Sequence, residues 1–305
     1  MLSYYFARFA SWIACLLPRG VTEVAGAALG VVGWFFVPKW RKALAKENIM
    51  LCLGVDEREA ERIAKASVTR FGPMLMEFLR FSVIKEHIED YVSIDGAEHV
   101  RKAMESGGGK GGILAAAHCG NWELQGGAIA QAGIPIVGVA KKQKAAGFDR
   151  FINEQRTLIG MHITYRSDVR EMYDMLAEGW FIGLIMDQDV SLHDGIVLDF
   201  FQRPTSCAVG AATMARFKNV PIFPCFIHRD GAGMHHVSIL PPIHVERTKN
   251  RREDIRRTTQ EIVKITEDHI RKYPEEWFWL HDRWKSMREE WHQDNSCANG
   301  DCSVK

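Results

Sequence analysis

The chain has 305 residues, of which 47% are hydrophobic and 25% are charged, and its formal net charge at pH 7 is +1. This length supports a large buried core, and the near-neutral charge argues against a nucleic-acid-binding protein, because binding to phosphates depends on a strongly basic surface. The seven cysteines are scattered without a Cys-x-x-Cys pair, which indicates neither a disulfide framework nor a zinc site and favours the reducing cytoplasm.

Two apolar segments, residues 12–17 and 24–37, lie near the start of the chain, and a proline follows each of them. Each segment is shorter than the roughly 20 apolar residues that a membrane-spanning helix needs. The second segment ends in aromatic residues, and three cations follow within residues 39–42. Such flanks are typical of a segment at a membrane surface with its positive charges on the cytoplasmic side. We therefore predict that residues 1–42 form membrane-associating helices, and the alternative is a buried helical hairpin.

The next segment, residues 42–92, is predicted to be helical, because its apolar side chains recur at helical spacing and Asp56 is placed to cap a charged helix start. From residue 113 onwards, short apolar runs alternate with helical patterns. This alternation predicts an α/β domain, over residues 43–288, with a mixed central sheet flanked by helices. A hairpin is expected around the glycine-containing turn 229–233. The polar residues 289–305 are predicted to be a disordered tail.

A histidine and a glutamate flank the turn between the first predicted strand and the next helix. The strand ends in Ala115-Ala116-Ala117, His118 follows, and Asn121 is placed to cap the helix that contains Glu123. In open α/β sheets, ligands bind in the crevice beyond the carboxyl ends of the strands. Across the turn, the Glu123 carboxylate can hydrogen-bond one ring nitrogen of His118 and make the other a general base for a substrate hydroxyl. The alternative is a histidine bonded to the backbone.

Further polar residues follow later strands. Arg156, on a predicted helix, can pair with a carboxylate of the site, hold an anionic head group or form a surface salt bridge. Arg166 precedes a helix that Ser167 can cap, and its side chain can point at a substrate. Asp187-Gln188-Asp189 ends an apolar strand, where two acids are compatible with a metal ion. No acid or histidine lies at ligand spacing beyond Asp194. We therefore predict no metal and no cofactor.

Three stretches of the sequence resemble one enzyme family. His118-Cys119-Gly120-Asn121-Trp122-Glu123 resembles the signature of glycerolipid and lysophospholipid acyltransferases, a histidine followed after four residues by an acid. Its Asn-Trp-Glu form is similar to that of the bacterial lipid A late acyltransferases, the lauroyl and myristoyl transferases. The segment 200–204 matches a Phe-Phe-x-x-Pro block, and residues 274–283 match a Pro-Glu-x-Trp-x-Trp-x-His-x-Arg block. The resemblance covers most of the chain.

This resemblance implies a glycerol-3-phosphate acyltransferase-like fold and the transfer of a fatty acyl chain from a thioester, such as acyl-acyl carrier protein, to a lipid A precursor. The site is expected at the cytoplasmic face of the inner membrane. His118 would deprotonate the acceptor hydroxyl, Glu123 would orient His118, and Arg156 or backbone N–H groups would stabilise the oxyanion. The family places Asp187-Gln188-Asp189 in the wall of the site without a metal. We interpret Asp187 as a structural or substrate-orienting partner, and Arg156 as the residue that it can pair with.

Two alternatives stay open. The acceptor can instead be a lysophospholipid or a mannosylated phosphatidylinositol, because the same motif serves those lipids. Alternatively, Cys119 is a nucleophile beside His118, which would make the protein a thioesterase or cysteine hydrolase. Adjacent residues on an extended strand point to opposite faces, which disfavours the second alternative. We also expect either Thr205 or Ser206 to cap a helix over residues 207–217.

Overall fold

The computed structural model describes residues 1–288, so the predicted polar tail lies outside the described residues. The helices in this part of the chain are α1 Leu2–Leu16, α2 Arg19–Phe36, α3 Lys39–Leu53, α4 Glu57–Thr69, α5 Phe71–Leu79, α6 Phe81–Ile84, α7 Ala97–Ser106, α8 Trp122–Gln131, α9 Ala146–Leu158, α10 Val169–Ala177, α11 Gly210–Lys218 and α12 Arg251–Lys272. The strands are β1 Val92–Asp95, β2 Ile113–Ala116, β3 Ile136–Ala140, β4 His162–Tyr165, β5 Phe181–Ile185, β6 Gly195–Phe200, β7 Arg203–Ala208, β8 Ile222–Arg229 and β9 His235–Ile239.

Seven of these strands form the main sheet, in the order β1-β9-β8-β2-β5-β3-β4. The strands β8, β2, β5, β3 and β4 run parallel to one another, whereas β9 pairs antiparallel with β8 and parallel with β1. The predicted mixed sheet and the hairpin around residues 229–233 are therefore confirmed. Because β2 and β5 are adjacent and parallel, the residues that follow them meet at one edge of the sheet.

Helices cover both faces of the sheet, which explains why its strands are short, nearly continuous apolar runs. On one face, Leu114 of β2 and Phe223 of β8 pack in a cluster with residues of α6 and α8. On the other face, Ile113 and Ile182 pack in a cluster with residues of α10, α11 and α12. Burial of each such side chain contributes about 1.5–3 kcal/mol to stability. The sheet is thus a rigid base for the residues at its edge.

The N-terminal helices pack against this α/β layer. On α2, a Cβ at Gly30 would lie 1.9 Å from the carbonyl oxygen of Thr69, so this close crossing needs a glycine. On α1, the Tyr4 hydroxyl donates a hydrogen bond of 2.9 Å to Glu154 of α9. The predicted boundary after residue 42 falls inside α3. Among the described helices, none has by itself the length and apolar composition of a membrane span, whereas α2 and α3, with axes bent by 102°, pass that test as a pair.

One predicted helix start is wrong. Residues 203–208, which include Thr205 and Ser206, form β7 and pair with β6, and the following helix begins only at Gly210. The chain turns between β6 and β7 at Phe201 and Gln202, whose φ angles are 53° and 58°. Two consecutive residues in the left-handed region are typical of a tight hairpin turn. The Thr205 hydroxyl donates to the carbonyl oxygen of Arg283 and therefore does not cap a helix.

Two of the three other helix caps predicted from the sequence are present in the structure. Asp56 accepts from the N–H of Glu59 at 2.8 Å, and Asn121 accepts from the N–H of Leu124 at 3.1 Å, so both predicted caps are confirmed. Ser167 is not the cap of α10. Its hydroxyl donates to the carboxylate of Asp168, the residue that occupies the N-cap position.

Candidate active site

His118 lies in the turn between β2 and α8, at the edge of the sheet where the parallel strands end. Asp187 follows β5, the neighbour of β2, and its Oδ1 accepts from both the backbone N–H and the ring Nδ1 of His118, at 3.0 and 2.8 Å. The indole N–H of Trp277 donates to Asp187 Oδ2 at 2.7 Å. A carboxylate can only accept, so the His118 proton sits on Nδ1, and Nε2 is left as a base.

The charge balance of this pair favours a proton on the histidine. Burial would raise the pKa of Asp187, but the charge of His118 and the hydrogen bonds from His118 and Trp277 outweigh it and lower the pKa to about 2. Burial also disfavours the charged form of His118, yet the Asp187 carboxylate raises the pKa of His118 above its usual value. Asp187 therefore stays ionised and stabilises a protonated His118.

Glu123 does not have the predicted partner. Its carboxylate forms a two-point ion pair with Arg156 of α9, with Oε2 2.7 Å from Nε and Oε1 2.6 Å from Nη2. The prediction that Glu123 orients His118 is therefore wrong, and so is the pairing of Asp187 with Arg156. Glu123 lies in the first turn of α8, which directs it towards α9, whereas the end of β5 brings Asp187 to His118. The prediction that Arg156 pairs with a carboxylate of the site is confirmed.

The turn itself has little conformational freedom. Gly120 has a φ of 53°, and a Cβ at this position would lie 2.5 Å from the carbonyl oxygen of Ile227, so only glycine fits. Asn121 also donates from Nδ2 to Oε2 of Glu77, on α5, at 2.7 Å. The ring of Trp122 packs edge-on against His118, with 4.9 Å between the ring centroids. These contacts hold His118 in a single place at the edge of the sheet.

A cavity of about 490 Å³ lies beside this turn. Helices α1, α5, α8 and α9 line it, mainly with large apolar side chains such as Phe6, Phe71 and Phe78. Trp122 belongs to its wall, and so do both members of the Glu123–Arg156 pair. A second cavity of about 80 Å³ shares these three residues and extends between α8 and the sheet. An apolar space of this kind next to a histidine suits a hydrocarbon chain whose reactive end reaches the histidine.

The other residues predicted to bind substrate do not contact the His118 ring. The N–H of Arg166 donates to the carbonyl oxygen of Ala140 at 2.9 Å, and its side chain is exposed, so the structure does not bring it to His118. Gln188 is half-buried between the two acids of its segment. Asp189 accepts from the N–H and hydroxyl of Ser286, at 3.1 and 2.6 Å. Asp187 and Asp189 thus accept hydrogen bonds from different parts of the chain.

Cys119 is not placed to act as a nucleophile. Its side chain is fully buried and packs in a cluster with Trp277 and Trp279. Burial raises the pKa of the Cys119 thiol well above its usual value, so the thiol stays protonated. Sequence reasoning missed the role of Trp277 as a donor to Asp187. The match of residues 274–283 to a family block was the signal that could have directed attention to it.

Comparisons with known proteins identify a family for this chain. The family model described as "Bacterial lipid A biosynthesis acyltransferase" matches residues 1–286. The lipid A biosynthesis lauroyltransferase of Escherichia coli is 25% identical, over 91% of this chain and 90% of that protein. The phosphatidylinositol mannoside acyltransferase of Mycolicibacterium smegmatis is 24% identical, over 73% of this chain and 72% of that protein.

Among solved structures, the 1-acyl-sn-glycerophosphate acyltransferase of Thermotoga maritima matches with a TM-score of 0.37 and 13% identity, over 75% of this chain and 94% of that chain. The match to the family model includes both the His118 motif and the block at residues 274–283. The protein is therefore an acyltransferase and belongs to the bacterial lipid A biosynthesis acyltransferase family.

Proposed function

We propose that the protein transfers a fatty acyl chain from an acyl thioester to a hydroxyl of a lipid A precursor at a membrane surface. The main support for this proposal is the hydrogen-bonded His118–Asp187 pair, which lies next to an apolar cavity of about 490 Å³. The pair supplies a base for a hydroxyl, and the cavity takes the acyl chain. The E. coli relative named as a lauroyltransferase supports lipid A as the acceptor class.

The reaction follows from the free Nε2 of His118. This nitrogen accepts the proton of the acceptor hydroxyl while the oxygen attacks the thioester carbonyl carbon, and a tetrahedral oxyanion forms. The oxyanion then collapses, the carbon–sulfur bond breaks, and protonated His118 returns its proton to the leaving thiolate. Asp187 lowers the free energy of the charged imidazole throughout. The products are an ester and a free thiol.

Arg156 is in position to act on the developing negative charge. Its Nε and Nη2 are held by Glu123, which leaves Nη1 outside the two-point pair, and the residue lines the cavity beside Trp122. A partly buried cation that is already held in place stabilises an oxyanion without further reorganisation. We assign Arg156 to the carbonyl oxygen of the thioester, and Glu123 to holding Arg156.

We infer that the donor is acyl carrier protein and that the reaction takes place at the cytoplasmic face of the inner membrane. The exposed Lys141, Lys142 and Lys144 offer positive charge to an acidic carrier. On α1 and α2, large apolar side chains remain uncovered, among them Phe6 at 68% and Phe36 at 82% exposure. Uncovered aromatic faces of this size suit insertion into the interfacial layer of a bilayer.

The second candidate acceptor is a phosphatidylinositol mannoside. The relatives from Mycolicibacterium smegmatis and Mycobacterium tuberculosis carry that name, each 24% identical. Both acceptors are lipids that present a hydroxyl, so the same base can serve either. To separate them, purified protein is given one acyl thioester and each acceptor in turn, and the products are identified by mass spectrometry. Acylation of the mannoside alone would reject lipid A as the substrate.

The catalytic assignment is tested in the same assay with two neighbouring variants. His118→Ala removes the base, and we expect transfer to fall by at least 10²-fold, a usual contribution of a general base. Cys119→Ala removes a buried thiol, and we expect near-wild-type transfer with about 1 kcal/mol lower stability. The opposite result, activity that depends on Cys119 and not on His118, would favour a cysteine hydrolase.

A further inference from the structure

The junction between α4 and α5 touches the turn that carries His118. Arg70 is the residue between these two helices, and its guanidinium donates from Nη1 to the carbonyl oxygen of Gly120 at 2.6 Å. Its Nη2 donates to the carbonyl oxygen of His118 at 3.3 Å. A guanidinium presents several N–H groups in one rigid plane, so a single side chain can hold two carbonyls at once. Arg70 thereby spans the turn from His118 to Gly120.

Other elements hold the same turn at different atoms. The N–H of Gly120 donates to the carbonyl oxygen of Glu276 at 2.9 Å, and Cys119 forms an isolated antiparallel bridge with Trp277. Glu276 thus accepts from the N–H of Gly120, and Arg70 donates to its carbonyl oxygen. Movement of Gly120 would break hydrogen bonds in both of the peptide groups that it joins, which would cost several kcal/mol in a buried site.

The residue after Arg70 contacts the apolar cavity. Phe71 begins α5, lines the cavity and packs against Trp122 with 5.8 Å between ring centroids. Trp122 in turn packs against His118. Further residues of α5, including Met74 and Phe78, line the cavity as well. The helix that forms a wall of the acyl cavity therefore also holds the backbone of the histidine turn.

We propose that Arg70 is a positioning residue for acyl transfer, which holds the His118–Gly120 turn so that Nε2 of His118 stays aimed at the acceptor hydroxyl that attacks a thioester whose chain fills the cavity. This inference rests on the proposed function. Arg70 reaches the backbone of the turn and touches no reacting atom, so its effect passes through His118. Misplacement of a catalytic group by about 1 Å can lower the rate by roughly 10²-fold.

The charge of Arg70 provides a readout that packing alone would not change. The groups that act on the His118 ring by charge are Asp187, Arg70, Glu123 and His281. Asp187 raises the pKa of His118, and Arg70 lowers it. Loss of the Arg70 charge therefore shifts the acid limb of the activity profile to higher pH, because His118 then binds its proton more tightly.

The test compares Arg70→Lys and Arg70→Met with the wild type in the thioester transfer assay. We expect kcat to fall by about 10- to 100-fold in both variants, with KM for the thioester essentially unchanged, because the acyl cavity is intact. Arg70→Lys keeps the charge but cannot hold both carbonyls, so its acid limb stays in place. Only Arg70→Met moves the acid limb to higher pH.

Arg80 offers a matched control at the other end of α5. Its Nη1 donates to the carbonyl oxygens of Ala14 and Leu17, which are in and just after α1. Arg80→Lys therefore weakens a similar arginine–carbonyl clamp on the same helix, and we expect a lower melting temperature with wild-type kcat. Near-ultraviolet circular dichroism reports the folded fraction of each variant.

Three results would overturn the inference. They are wild-type kcat in both Arg70 variants, a fall in kcat that only follows the folded fraction, and an equal fall in Arg80→Lys. A wild-type protein that transfers no acyl chain to either acceptor would overturn the proposed function and this inference with it. An active wild type with unaffected Arg70 variants would overturn this inference alone.

Discussion

Among single residues, Asp187 makes the contacts that connect the most distant parts of the site: it follows β5 and binds both His118 and Trp277. It accepts two hydrogen bonds from His118, at the end of β2, and one from Trp277, in the C-terminal block. A buried carboxylate with three donors stays ionised and cannot rotate without losing a hydrogen bond. The His118 ring therefore has one tautomer and one orientation, as a base in a confined site requires.

The first prediction concerns the Asp187 charge. Asp187→Asn keeps the size of the side chain but presents an amide N–H or a weaker acceptor to Nδ1, which permits the wrong tautomer of His118. We expect kcat to fall on the order of 10³-fold in the transfer assay. Asp194→Asn is the control, because Asp194 is exposed and contacts Ser191. Equal rates in the two variants would remove Asp187 from the mechanism.

The second prediction concerns the pH dependence of kcat. His118 must be unprotonated to accept the hydroxyl proton, so activity falls as the pH drops below the pKa of His118. Asp187 raises that pKa, and the wild-type acid limb should therefore lie above the usual histidine value of about 6.5. In Asp187→Asn, no carboxylate at position 187 opposes the effect of burial, so the pKa of His118 falls. The acid limb of the residual activity should therefore move to lower pH. A limb that moves upward would contradict the assigned ion pair.

At the scale of elements, α2 crosses α4 and α5 at very short range. Gly26 and Gly30 lie one turn apart on α2 and face Pro73, Gly72 and Thr69, with no room for a Cβ at either position. Glycines spaced in this way let two backbones approach, as they do in closely packed helix pairs. This crossing holds the N-terminal helices on the domain and places α5 next to the turn of His118.

The third prediction uses two glycines of α2 as a matched pair. Gly30→Ala introduces a Cβ 1.9 Å from the Thr69 carbonyl oxygen, so the helices must separate, and we expect about 1–3 kcal/mol lower stability in chemical denaturation. Gly33→Ala has nothing within 4 Å of its Cβ. Because alanine favours a helix over glycine, this second variant should be about 0.5–1 kcal/mol more stable than the wild type. Similar stabilities for the two variants would show that the crossing is loose.

For the whole molecule, the exposed apolar face and the acyl cavity lie together. Phe6 of α1 both lines the cavity and has 68% of its surface exposed, and Phe9 and Trp12 on the same helix are exposed by 57% and 58%. If this face inserts into a bilayer, as we propose, an acyl chain or product can pass between lipid and cavity with little exposure to water. We therefore expect the position of α1 to couple membrane binding to catalysis.

The fourth prediction follows from this arrangement. Phe9→Ser with Trp12→Ser should reduce co-sedimentation with anionic phospholipid vesicles by at least 10-fold, because each large side chain contributes about 1.5–3 kcal/mol when it leaves water. Phe217→Ser is the control, since Phe217 is equally exposed, at 64%, but lies on α11 and packs against Tyr173 of α10. Vesicle binding that depends on Phe217 instead would place the membrane on the other side of the sheet.

Much of the architecture could be predicted because its signals are local. Apolar runs indicated the strands of the sheet, the glycine-rich turn indicated the β8–β9 hairpin, and Asn121 was recognised as a helix cap from its neighbours alone. The His118 motif and residues 274–283 also indicated the acyltransferase family before the fold was known. By contrast, Thr205 and Ser206 look like residues that cap the start of a helix, yet they belong to β7. The pairing of β7 with β6 depends on a turn of two left-handed residues, which the sequence does not signal.

The acyltransferase family, the alternation of strands and helices, and the position of His118 at a strand end could all be recognised from the amino-acid sequence. The carboxylate that binds this histidine became clear only from the packed chain. Glu123 is five residues away and points to Arg156, whereas Asp187 is 69 residues away and follows the neighbouring strand. Strand order and helix direction set these partners, and both depend on how the whole chain packs, so spacing along the sequence could not reveal them.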